Sequence, residues 1–125
     1  MRILHVNKYL YRRGGAEGYL LDLASLQRRA GHDVELFGMQ HPDNERQRYE
    51  GHFPTQKEFE PAPSALRGRV ALAGRMAWST TAARGMSQVL DAFKPDVVHA
   101  HNIYHQLSPS VLRPAAKRGI PVVMT

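Results

Sequence analysis

Cysteine is absent from this 125-residue chain. That excludes a disulfide framework and a thiolate metal site, and it leaves the redox compartment open. Long apolar runs are missing too: no stretch approaches the roughly 18 consecutive apolar residues that a membrane-spanning helix needs. At the N-terminus, Arg2 followed by the short Ile3-Leu4-His5-Val6 run lacks the apolar core of a signal peptide. The expectation is a cytoplasmic protein, attached at most to the inner face of a membrane. Acidic residues are in short supply, eleven Asp and Glu against seventeen Lys and Arg, so the formal net charge of +6 points to an anionic partner. The basic residues fall in scattered pairs, Arg12/Arg13, Arg28/Arg29 and Lys117/Arg118, and no nucleic-acid-binding signature accompanies them. Nucleic acid is not an expected partner.

Several catalytic signatures are missing as well. Gly14-Gly15-Ala16-Glu17-Gly18 does not have the G-x-G-x-x-G spacing of a dinucleotide site. The acidic residue that would hold a ribose at the end of a second strand is replaced by Phe37-Gly38-Met39. Hydride chemistry is therefore disfavoured, and no G-x-S-x-G elbow supports a hydrolase.

What is present is a rhythm of short apolar runs and one strongly periodic helix. At 42% hydrophobic, the length suits one domain with a core of its own. Arg2–Asn7 reads as a buried strand of a parallel sheet. From Gly15 to Ala30 the apolar residues Ala16, Tyr19, Leu20, Leu23, Ala24 and Leu26 recur at helical steps, with Gly31 where a left-handed cap is expected. Asp33–Gly38 is a second strand, completing a parallel βαβ unit and an α/β fold class. Met39–Pro63 breaks the rhythm; it reads as a polar excursion with a short edge strand near Phe53. Ser64–Phe93 is expected to be helical in one or two pieces, its stripe interrupted by arginines and weakened by Gly74 and Gly85. Val97–His101 is a third buried strand. Ser108-Pro109 starts a helix that runs to Lys117/Arg118, bends at Pro114 and stops at Gly119, and Ile120–Thr125 is the last strand.

Two loops would follow strands on one rim of this sheet, Asn7–Gly15 and His101–His105. If the first strand pairs with Val97–His101, as in the doubly wound order 3-2-1-4-5, the crevice between those loops is the switch point where ligands bind. The paired glycines Gly14 and Gly15 let backbone approach a ligand closely. A helix N-terminus behind them favours an anion, with Lys8, Arg12 and Arg13 adding charge. His101, Asn102 and His105 would supply polar contacts or proton transfer, whereas His99 reads as a strand histidine bonded to backbone. Seven histidines invite a metal site, but His99 and His101 have only His105 nearby and no acidic residue completes a ligand set. No metal and no cofactor are expected.

Three segments carry a resemblance: Met1–Lys8 running to Arg13-Gly14-Gly15-Ala16-Glu17, Gly31–Glu35, and Lys94-Pro95-Asp96-Val97-Val98-His99-Ala100-His101-Asn102-Ile103-Tyr104-His105 running on to Thr125. In these the chain resembles the N-terminal domain of a GT-B fold glycosyltransferase of the large retaining family 4. The resemblance implies a Rossmann-like open parallel sheet flanked by helices, the N-terminal half of a two-domain GT-B fold. It also implies transfer of a sugar from a nucleotide-diphosphate donor to a saccharide, lipid-linked or cell-envelope acceptor. Gly14 and Gly15 would approach the donor diphosphate, while Lys8, Arg12, His101, Asn102 and His105 would line the acceptor side. Most donor contacts and a pair of glutamates would come from a second domain absent from this chain. The catalytic residues would lie in that domain and beyond Thr125, leaving these residues inactive alone. Gly18 and Pro114 depart from the family pattern. The arginine-rich region after residue 63 matches a part of such enzymes that varies with acceptor, and it suggests contact with an anionic membrane surface. The competing reading is a stand-alone Rossmann-like module that binds a nucleotide or phosphorylated metabolite without turnover.

Overall fold

The computed structural model describes residues 1–54, 81–101 and 109–125. Strands β1 (Arg2–Val6), β2 (Asp33–Phe37), β3 (Val97–Ala100) and β4 (Val122–Met124) form one sheet in the order β2-β1-β3-β4. All pairings are parallel, with His5 opposite Leu36 on one side and His99 on the other. The pairing of β1 with β3 is the one that a doubly wound order demands, and the architecture is Rossmann-like.

Helix α1 (Gly15–Arg29) connects β1 to β2, with Glu17 in its first turn and Arg28 and Arg29 in its last, both favourable to the helix dipole. Gly31 follows at φ +94, the left-handed position expected of it. The second helix, α2, is described over residues 81–93 and leads into β3 through Lys94 at φ +53. The remaining α-helix, α3 (Arg113–Lys117), precedes β4. Right-handed crossovers leaving the sheet centre in opposite directions place α1 on one face and α2 with α3 on the other. Two contacts agree: His5 on β1 meets Gln27 of α1, and Arg118, just after α3, donates to Asp91 of α2 at 3.0 Å.

The α2 face is mainly apolar, with half-buried Glu35 of β2, opposite Leu4, as a carboxylate on that side. Leu4, Val6, Val98 and Ala100 of the strands are buried with Met86, Val89, Leu90 and Phe93 of the helix. Gly85 is what lets α2 settle there: a Cβ at that position would lie 2.0 Å from the carbonyl oxygen of His52. The sequence marks this glycine as a weak point of the helix; in the fold it is where the helix touches its neighbour.

Other expectations need correction. Among the described residues no edge strand forms near Phe53. A 3-10 turn at Glu50–His52 delivers the Phe53 ring to Phe37, with centroids 5.2 Å apart, and one backbone bond, Gln40 N–H to Pro54 carbonyl at 2.9 Å, ties this stretch to the residues beyond β2. Pro54 has no N–H with which to extend a ladder. The last helix does not run unbroken through Pro114. Residues Pro109–Leu112 are 3-10, and α3 begins afresh with Pro114 in its first turn, where a missing N–H costs nothing. The expected helix over 64–80, the rest of the excursion at 55–63, and Ser108 lie outside the described residues.

Candidate functional site

The loop after β1 is held by buried polar groups. Asn7, 3% exposed, donates from Nδ2 to the Tyr9 carbonyl at 2.8 Å, and its backbone N–H bonds Phe37. Gly38 lets the loop close against the end of β2: a Cβ there would stand 2.6 Å from the Asn7 carbonyl oxygen and 2.8 Å from Leu10. Asn44 then clamps the far side, accepting from the Leu10 N–H at 3.1 Å and donating to Met39 at 2.8 Å. The early part of the polar excursion is thereby bonded to the β1 loop.

This clamp assembles an aromatic and cationic rim that no single segment reveals. Tyr11 stacks on His41, centroids 4.4 Å apart, and Tyr9 meets Tyr11 edge-on at 5.6 Å. The Arg13 guanidinium lies 4.2 Å from the Tyr9 ring centre and the Lys8 ammonium 5.1 Å from it, both within cation–π range. Lys8 therefore sits on this rim. Arg12 does not point free charge at a ligand: it donates to Asp22 at 2.7 Å, and that bond, the largest influence on it, raises its pKa.

Gly14 and Gly15 stand exposed at the start of α1, and a Cβ on Gly15 would meet nothing within 4 Å. Nothing in the described fold demands glycine at position 15, which leaves its bare backbone open to a ligand. Tyr19 of α1 reaches within 6.5 Å of the His101 ring, so the helix beginning at the glycines and the end of β3 share one edge of the sheet.

His101 is buried at 4% exposure and turns toward its neighbours on the α1 face. Its Nε2 lies 2.9 Å from Nδ1 of His5, whose Nε2 is 2.6 Å from Gln27 Oε1. An amide oxygen only accepts, so the His5 Nε2–H donates to Gln27; His5 Nδ1 is then an acceptor, and His101 Nε2–H donates to it. His99 stacks on His101 with centroids 4.0 Å apart and contacts the Thr125 hydroxyl through Nε2. Its bonding partner is thus a side chain, not the backbone expected from the sequence. Burial lowers the pKa of His5 and of His99, and it pushes that of His101 down to about 3, helped by the two neighbouring imidazoles. All three rings are neutral at pH 7, so His101 is a fixed hydrogen-bonding group and a poor base.

His5 is the residue that sequence reasoning missed. A histidine inside an apolar strand was the available signal, because parallel pairing of the first strand with Val97–His101 lays it beside His99. Asn102 and His105 lie outside the described residues. Among those residues no helix is long and apolar enough to cross a membrane.

Known proteins resemble this chain in fold and family. No curated protein matches the sequence. Among solved structures, UDP-GlcNAc 2-epimerase from Neisseria meningitidis bound to UDP-GlcNAc superposes with a TM-score of 0.53 at 16% identity, over 99% of this chain and 31% of that one. That likeness is one of fold, and the chain spans about a third of the epimerase's length. The family model described as "Glycosyl transferase 4-like domain" matches residues 14–125, from the paired glycines through the last strand. With its parallel switch-point sheet and its open Gly14-Gly15 turn at the head of α1, the chain belongs to the glycosyl transferase 4-like domain family.

Proposed function

We propose that this chain is the acceptor-side domain of a retaining glycosyltransferase that moves a sugar from a nucleotide-diphosphate donor to a saccharide or lipid-linked acceptor. The observation that carries the reading is the shared edge of Gly14-Gly15 and the aromatic rim, within a chain of the glycosyl transferase 4-like family. An exposed helix N-terminus with two side-chain-free residues suits a diphosphate oxygen. Tyr9, Tyr11 and His41 offer ring faces to the C–H faces of a sugar, and Lys8 and Arg13 favour an anionic acceptor. On this reading a second domain supplies most donor contacts and the catalytic groups, and residues 1–125 alone transfer nothing. The protein works in the cytoplasm, its basic surface drawing it to the anionic inner face of a membrane.

The test is donor and acceptor screening on the full-length protein, read by product mass, alongside a Gly15→Leu variant. The open space around Gly15 predicts that the variant folds with an unchanged melting curve but loses transfer. Retained transfer would remove the glycine turn from the site. Tight binding of a nucleotide by residues 1–125, with no transfer by the full-length protein, would favour a binding module instead.

A further inference from the structure

One buried cluster takes no part in the proposed sugar-transfer site. His5, His99 and His101 come from two strands 94 residues apart in sequence, and each offers a ring nitrogen within 4.8 Å of the others. We propose that these three histidines form a binding site for a zinc-class divalent transition metal, with a water in the fourth position.

Two features favour a metal over a simple hydrogen-bonded cluster. The first is spacing. Zn–N bonds of about 2.0–2.1 Å at tetrahedral angles put ligand nitrogens roughly 3.3 Å apart. The His5 Nδ1 to His101 Nε2 separation of 2.9 Å is already close to that. An ion entering between them replaces one shared proton, and His101 stays neutral by carrying its proton on Nδ1 instead of Nε2. The second is orientation from outside the site. Gln27 accepts from the far nitrogen of His5 at 2.6 Å; such an outer partner holds a ligating imidazole in one tautomer.

The His99–His101 stack is the part that must open. Rings inclined at 28° do not aim their in-plane lone pairs at one point. His99 has to turn about χ2, a soft torsion, and it is the half-buried member of the three. Solvent reaches the site past it, which supplies the water ligand. Imidazole donors without thiolate or carboxylate select zinc, copper, nickel or cobalt over magnesium and calcium.

Cobalt(II) titration of the untagged full-length protein at pH 7.5 tests this. We expect one equivalent to bind with the intense visible bands of tetrahedral coordination, bleached by added zinc, and not by magnesium. His99→Gln should weaken cobalt binding at least tenfold while leaving the metal-free melting curve unchanged, since His99 is half-exposed. His5→Gln should weaken it as much, with its fold checked by circular dichroism. His52→Gln, a histidine bonded to Gln88 away from the cluster, should bind as the parent does. Absence of tetrahedral bands, or parental affinity in His99→Gln, would overturn the proposal.

Discussion

The two faces of the sheet are built from different chemistry. Under α2, Leu4, Val6, Val98 and Ala100 meet Met86, Val89, Leu90 and Phe93, and stability there comes from apolar area and close packing. Under α1, the same two central strands present His5, His99 and His101 as a hydrogen-bonded cluster that burial keeps neutral. Alternation along each strand makes this possible, because adjacent residues point to opposite faces. The mainly apolar face is therefore intolerant of lost volume. The other carries polar groups whose charge state the fold controls.

Substitutions can separate the two. The largest effect is expected at Phe37, fully buried and packed on Phe53. Phe37→Ala should cost about 4 kcal/mol in urea unfolding, at neutral and mildly acid pH alike. Gly85→Ala comes next. In an exposed helix that change would stabilise by up to about 1 kcal/mol, but the His52 carbonyl oxygen would lie 2.0 Å from the new Cβ. We expect net destabilisation of about 2 kcal/mol by the same measurement; a gain in stability would show that α2 does not press on that turn.

The histidine face should respond to acid. His5, His99 and His101 have pKa values below the ordinary 6.5, so their contribution is fully present above that value. It is lost as pH falls through 6.5, because the unfolded chain then takes up protons that the folded chain refuses. Between pH 7 and 5 the loss is expected to be on the order of 1 kcal/mol, read from urea midpoints across that range. His101→Gln should flatten the dependence. An unchanged slope in that variant would place the sensitivity elsewhere. The smallest effect belongs to neither face: Arg12→Ala, breaking an exposed pair with Asp22, should leave the melting temperature unchanged within error.

Much of the frame was legible in the residues. The apolar periodicity of α1, its terminal charges and Gly31 place that helix within a residue of where it stands, Gly15–Arg29. The short runs containing Val6, Phe37 and Val98 are strands. The glycine turn was found at the correct edge of the sheet. The aromatic rim was not, because Tyr11 and His41 are thirty residues apart and meet only through the Asn44 clamp. The break before α3 has a local cause: by pattern Pro114 reads as a bend inside one helix, whereas in the fold it stands in the first turn of a new one.

Local pattern thus determined which segments are helix and strand and that the fold is α/β, since periodicity and capping act within a few residues. Partnership was decided by the tertiary structure alone. His5 joins His99 only because β1 pairs with β3 in one particular register, and a shift by one residue would turn it to the apolar face. Gly85 is required only because the His52 backbone arrives there. Both facts depend on contacts between residues far apart in sequence, which no local preference encodes.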